Sequence, residues 1–130
     1  MISVCIATYN GEKYIKEQLL SILPKLGKKD EVIISDDHST DNTLDVVKGL
    51  NDNRIKLVMN NREKGDTSNF ENALSYAIGD YIFLSDQDDI WQPGRVQIML
   101  EAFEERSAFL VSGRFDFIDK NSNSIIANDN

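Results

Sequence analysis

Short apolar runs alternate along this chain with segments of helical period. Residues 2–7 (Ile2-Ser3-Val4-Cys5-Ile6-Ala7) form a nearly continuous apolar run that ends at Thr8-Tyr9-Asn10-Gly11. Such a run suits a strand buried on both faces, as in a parallel sheet. Over residues 12–23 the apolar positions Tyr14, Ile15, Leu19, Ile22 and Leu23 recur at helical spacing, and Pro24 and Gly27 mark the end of that helix. Residues 31–35 predict a second strand around Val32-Ile33-Ile34, which opens into the polar loop Asp36-Asp37-His38-Ser39-Thr40. A helix is predicted over residues 41–50, with Ser39, Thr40 or Asp41 as its N-cap.

Residues 55–59 predict a third strand, and a polar loop containing Gly65 follows. The next helix is expected over residues 68–78, on the apolar positions Phe70, Ala73, Leu74, Ala77 and Ile78, with Gly79 as its C-terminal glycine. Residues 81–84 predict a fourth strand that runs straight into Ser85-Asp86-Gln87-Asp88-Asp89. Pro93 opens a further helix whose apolar face includes Val96, Met99, Leu100 and Phe103. A fifth strand over residues 109–117, a turn over 119–123 and a short returning strand over 124–127 complete the pattern.

This alternation predicts one α/β domain over residues 1–130 with a mostly parallel sheet, and right-handed crossovers make it doubly wound. Ligands of such sheets bind at the carboxyl ends of the strands, where strand order reverses. With the order 3-2-1-4, the first, second and fourth strands exit side by side. Asp36, Asp37, Asp86, Asp88 and Asp89 then line one crevice. So many like charges need a cation or raised pKa values, and an all-oxygen site favours magnesium or manganese.

Composition narrows the chemistry. The chain has 130 residues and a formal net charge of −8, which argues against a nucleic-acid partner. A diphosphate held by so acidic a chain calls for a cation between the two. The one cysteine, Cys5, sits in an apolar run and reads as a core residue; with one histidine, a zinc site of clustered His and Cys is excluded. The apolar runs are too short to span a bilayer, and the N-terminus lacks the pattern of a signal peptide.

The carboxylates differ in expected role. Asp86 and Asp88 directly follow a buried strand and read as functional. Asp89 is balanced between function and capping the next helix, and Asp41 reads as a cap. Asp37, at a strand exit, suits an acceptor for the imide N–H of uracil or thymine. Tyr9 is placed to stack on or cover the base, and His38 reads as a solvated loop residue.

Three segments carry a family resemblance: Ser3-Val4-Cys5-Ile6-Ala7-Thr8-Tyr9-Asn10-Gly11, Ile34-Ser35-Asp36-Asp37-His38-Ser39-Thr40-Asp41-Asn42-Thr43 and Phe83-Leu84-Ser85-Asp86-Gln87-Asp88-Asp89-Ile90-Trp91. In this order and at these separations the chain resembles family 2 glycosyltransferases of the GT-A fold, most of all a bacterial rhamnosyltransferase-like branch. The resemblance implies a Rossmann-like three-layer α/β sandwich with strand order 3-2-1-4. It also implies sugar transfer from a UDP- or dTDP-sugar to an acceptor hydroxyl, with inversion, in bacterial cell-surface polysaccharide synthesis.

By the same resemblance Thr8, Tyr9, Asp36, Asp37, Asn69 and Asp86 bind the donor. Asp86 and Asp88, the ends of a D-x-D motif, hold Mn2+ or Mg2+, with Asp88 leading. Asp89 falls nearer the acceptor, and Trp91 and Pro93 shape the floor of the site. The acceptor is expected to be a saccharide or lipid-linked saccharide. The protein is expected in the cytoplasm, without a transmembrane segment, in a form compatible with peripheral association at the inner membrane face. Where many members carry Ala-Arg-Asn this chain has Ser68-Asn69-Phe70, which leaves Lys64 and Asn69 as candidates to support the diphosphate. The resemblance covers the front half of a typical member, so the acceptor-binding part and the general base are expected beyond Asn130. The main alternative is a non-catalytic nucleotide-sugar-binding module. A signalling receiver domain or an aspartyl phosphotransferase would place its acidic pair after the first strand, where this chain has Thr8-Tyr9-Asn10.

Overall fold

A computed structural model of the chain describes residues 1–86, 108–112, 116–119 and 124–126. Its strands are β1 (Ile2–Thr8), β2 (Glu31–Asp36), β3 (Ile55–Met59), β4 (Tyr81–Asp86), β5 (Ala108–Ser112), β6 (Asp116–Asp119) and β7 (Ser124–Ile126). The helices among the described residues are α1 (Ile15–Ile22), α2 (Thr43–Gly49) and α3 (Asp66–Leu74). The strands form one sheet in the order β3-β2-β1-β4-β5-β6-β7. β1 runs parallel to β2 and β4, β2 to β3 and β4 to β5, so the expected 3-2-1-4 order holds.

The single strand expected over residues 109–117 is instead two, β5 and β6, which pair antiparallel. Gly113 lies between them in sequence, a residue type suited to a chain reversal. The short returning strand is β7, paired antiparallel with β6. The helix expected from Pro93 lies outside the described residues.

Both faces of the central strands are covered, which explains their unbroken apolar runs. Successive side chains point to opposite faces. Val4, Ile6, Val32, Ile34 and Phe83 pack with Ile15, Leu19 and Ile22 of α1 and Val47 of α2. Cys5 and Ile33 turn the other way, onto Ala73 and Leu74 of α3. Each fully buried aliphatic side chain contributes roughly 1.5–3 kcal/mol. Burial, with the charge of Glu31 second, pushes the Cys5 thiol up to about 12, so this residue is a core thiol and not a nucleophile.

Helix boundaries depart from the sequence pattern for local reasons. α1 begins at Ile15 because the Gly11 carbonyl accepts the N–H groups of both Tyr14 and Ile15, each at 3.0 Å. Pro24 falls in a 3-10 turn, Leu23–Lys25, near whose start a missing N–H costs little. α3 spans Asp66–Leu74, shifted toward the N-terminus, so Gly79 is not its cap. Gly79 instead lies against β1. Its N–H donates to Ser3 Oγ at 2.8 Å. A Cβ there would come within 2.6 Å of Ser3 Oγ and 2.7 Å of the Ser3 nitrogen, so only glycine fits.

At the amino end of the sheet Glu31 is 2% exposed. Its carboxylate accepts from Ser3 Oγ (2.6 Å), Lys56 Nζ (2.6 Å) and the Ile78 N–H (2.9 Å). Burial pushes this carboxyl up, but the bonds from Lys56, Ser3 and Ile78 outweigh it and hold the group below its ordinary value. A depressed folded-state pKa gives stability that is complete above the unfolded value, near 4.3, and is lost as pH falls through the folded value. The stability difference between wild type and Glu31→Gln, read from urea midpoints, is therefore expected to be constant above about pH 5.5 and to shrink below about pH 4.

Candidate functional site

The register brings three strand exits together. Thr8 at the end of β1 pairs with Asp36 at the end of β2, and Ala7 pairs with Asp86 at the end of β4. The polar residues that follow β1 and β2 are tied to one another. Thr8 Oγ1 donates to Asp36 Oδ1 at 2.7 Å. Ser39 donates its hydroxyl to Asp36 Oδ1 at 2.6 Å and its N–H to Asp36 Oδ2 at 2.7 Å. Asp36 is 0% exposed and Thr8 1%, so this carboxylate is spent on fixing the loop. Asn10, with φ of 50°, donates its N–H to Ser39 Oγ, and its Oδ1 accepts the Thr40 N–H at 2.8 Å. The N-cap of α2 is Asn42, which makes no side-chain cap bond, and not Ser39, Thr40 or Asp41 as expected; Asp41, one residue earlier, accepts the Thr43 N–H at 2.9 Å and so steadies the turn that leads into the helix.

Asp37, next to Asp36, is buried as well, 5% exposed. Its Oδ1 accepts from Asn60 Nδ2 and its Oδ2 from the Gly65 N–H, both at 3.0 Å. The Asp37 N–H donates to the Thr8 carbonyl at 2.9 Å, so the residue is anchored to β1. A carboxylate offers about four lone-pair positions, so two internal donors leave it capacity for a ligand N–H. His38 is exposed with φ of 61°, and its Nε2 lies 3.1 Å from the Asn60 carbonyl, to which that ring N–H donates.

The loop between β3 and α3 reaches back over the β1 exit. Lys64 Nζ sits 4.9 Å from the centre of the Tyr9 ring, which is 39% exposed. A cation–π contact at such a site is worth about 0.5–1 kcal/mol. Asn69, 1% exposed on α3, donates Nδ2 to the Thr8 carbonyl at 3.2 Å, and its Oδ1 has no partner among the described residues. Of the residues expected to bind a donor, Thr8, Tyr9, Asp36, Asp37 and Asn69 gather at the β1 and β2 exits, and the backbone of Asp86 stands beside them. Asp88 and Asp89 lie outside the described residues. Among the described residues no three His, Cys, Asp or Glu side chains form a metal-binding group. Depressions of about 260 and about 560 Å³ open at the opposite end, around Asn51 and Asp52.

Two residues emerge that the sequence pattern did not single out. Ser39 appeared as a helix cap, but it serves Asp36. Asn60 appeared as a loop residue, yet it is 3% exposed and bonded to Asp37. The one sequence cue was an asparagine directly after a strand, a position that commonly ties a turn.

Comparison with known proteins fits this geometry. The family model described as "Glycosyl transferase family 2" matches residues 3–130. The chain is 31% identical over 122 residues to the UDP-Glc:alpha-D-GlcNAc-diphosphoundecaprenol beta-1,3-glucosyltransferase WfgD of Escherichia coli, covering 94% of the chain and 48% of that relative. It therefore spans about half of that relative's length. Among solved structures, S. aureus TarS in complex with UDP-GlcNAc matches with a TM-score of 0.71 and 30% identity, over 82% of this chain and 32% of TarS. The mannosyltransferase PcManGT of Pyrobaculum calidifontis, in complex with GDP-Man and Mn2+, matches with a TM-score of 0.64 and 29% identity, over 75% of this chain and 30% of that one.

Proposed function

The chain belongs to glycosyl transferase family 2, and from that premise we propose that residues 1–130 form the donor-binding part of an inverting, metal-dependent glycosyltransferase. The donor is a UDP- or dTDP-sugar, and the acceptor is a hydroxyl of a saccharide or lipid-linked saccharide in bacterial cell-surface polysaccharide synthesis. The observation that carries this reading is Asp37, a nearly buried carboxylate held at the β2 exit with capacity for one more N–H donor.

Asp37 accepts the imide N–H of the pyrimidine, and Tyr9 covers the base with Lys64 above its ring. Asp36 and Thr8 hold the floor beneath, and Asn69 offers an unspent buried acceptor beside it. Asp86 and Asp88 of the segment Asp86-Gln87-Asp88 would hold a hard divalent cation, since carboxylate oxygens are the ligands such ions take. A divalent ion held by Asp86 and Asp88 would supply Lewis-acid neutralisation of the charge on the diphosphate leaving group. The acceptor hydroxyl oxygen attacks the anomeric carbon, the sugar–phosphate bond breaks, and the hydroxyl proton passes to a carboxylate base. The enzyme works in the cytoplasm at the membrane's inner face, in keeping with the diphosphoundecaprenol-linked substrate in the relative's name. No helix among the described residues is long and apolar enough to cross a membrane.

Calorimetry with UDP, dTDP and CDP tests the base assignment. Cytosine presents an acceptor where uracil and thymine present an N–H, so CDP leaves the Asp37 carboxylate without its donor. A mismatch of that kind costs roughly 1.5–3 kcal/mol, so UDP and dTDP are expected to bind at least about tenfold more tightly than CDP. Equal affinities for UDP and CDP would remove Asp37 from base recognition.

A further inference from the structure

Asn60 ties the β2 exit to the loop that follows β3. Its Nδ2 donates to Asp37 Oδ1 at 3.0 Å and to the Glu63 carbonyl at 2.9 Å. Its Oδ1 accepts the Arg62 N–H at 3.0 Å. Its own N–H donates to the Asp36 carbonyl at 2.8 Å, and its carbonyl accepts from His38 Nε2. The residue is almost wholly buried. These bonds do two things at once. They fix one oxygen of Asp37, and they curl residues 60–65 so that the Gly65 N–H meets the other oxygen. The same curl sets Lys64 over Tyr9. Gly65 has φ of 129°, a conformation that L side chains rarely adopt, so the loop's course depends on that glycine as well.

We propose that Asn60 is a positioning residue for nucleotide recognition: it aims the Asp37 carboxylate and, through the same bonds, holds Lys64 on Tyr9. The proposal rests on the reading of Asp37 as the base acceptor. Asn60 touches no ligand in this account. It narrows the orientations of Asp37 to one that leaves a lone pair open at the rim. Without its amide, the carboxylate turns and the loop that roofs Tyr9 loosens.

The test is a double-mutant cycle on the full chain, with uridine and UDP binding measured by calorimetry. Asp37→Ala is expected to abolish measurable uridine binding, and Asn60→Ala to weaken it by about tenfold. In the Asp37→Ala background, Asn60→Ala is expected to weaken the remaining UDP affinity by clearly less than about tenfold, because its effect through Asp37 is gone and only its hold on Lys64 is left. Full additivity would show that Asn60 has a separate role and would overturn the proposal. If Asp37→Ala leaves uridine binding intact, the underlying reading of Asp37 fails. If Asp37→Ala abolishes binding and Asn60→Ala changes nothing, only the role of Asn60 fails.

Asn60→Asp covers the case in which the alanine variant does not fold. It preserves shape and places a carboxylate against Asp37, with Asp36, His38, Glu63 and Lys64 as the surrounding titratable groups. Two adjacent carboxylates share a proton at raised pH. Uridine affinity of Asn60→Asp, relative to wild type, is therefore expected to improve several-fold as pH falls from about 8 to about 5.5, when the shared proton restores a donor. A pH-independent ratio would contradict the proposed contact.

Discussion

Replacing Asp88 by alanine is expected to lower the affinity for UDP in the presence of manganese by about 100-fold, equivalent to about 2.7 kcal/mol. Affinity for uridine, which carries no phosphate, should not change. The reasoning begins with charge. The chain has a net charge of −8, and its β4 exit reads Asp86-Gln87-Asp88-Asp89. A diphosphate brought to that edge meets like charges, and the attraction must come from a cation between the two. Removing one of two carboxylate ligands weakens the hold on that cation and leaves the base contacts untouched. Calorimetry of UDP and uridine with manganese present separates the two contributions. An equal loss for both ligands would mean that Asp88 shapes the site in general and does not hold a metal.

The second large effect concerns stability. Asp36→Ala is expected to destabilise the fold by about 3–5 kcal/mol. The carboxylate serves three donors, Thr8 Oγ1, Ser39 Oγ and the Ser39 N–H, in a place without solvent exposure. Alanine orphans all three, and each buried donor left unpaired costs about 1–3 kcal/mol. The donors are neighbours, so the total falls below a simple sum. Chemical denaturation of the two proteins measures the difference. A loss below about 1 kcal/mol would mean that water or a shifted loop replaces the carboxylate with ease.

The doubly covered parallel strands were legible in the apolar runs, whereas the order 3-2-1-4, and with it the shared rim of Thr8, Asp36, Asp37 and Asp86, came from the family resemblance. Val4, Ile6, Val32 and Ile34 could only belong to doubly covered strands, and such strands release their polar successors at a common edge. What escaped the pattern was decided by single contacts. Gly79 looked like a helix terminator because Ile78 ends an apolar series, but its position is dictated by Ser3, 76 residues earlier in the chain. α3 ends at Leu74, four residues short of the expected limit, and Ile78 is 69% exposed and outside the core. The run over residues 109–117 hid a reversal because apolar residues stand on both sides of Gly113.

The division of labour between Asp36 and Asp37 was not readable either. Two adjacent aspartates at a strand exit look alike in sequence. Only the positions of Thr8, Ser39, Asn60 and Gly65 show that one takes three internal bonds and the other two. Asn60 is one of two adjacent asparagines in a polar loop, and nothing in its immediate neighbours marks it as the one that turns inward.

Manganese anomalous diffraction from crystals of the chain grown with UDP tests the central claim most directly. The account predicts an anomalous peak bound by Asp88 at the β4 exit, adjacent to the UDP diphosphate, with the uracil imide N–H on the Asp37 carboxylate. UDP bound away from the β1, β2 and β4 exits, or UDP at the rim with no manganese at Asp86 and Asp88, would contradict it.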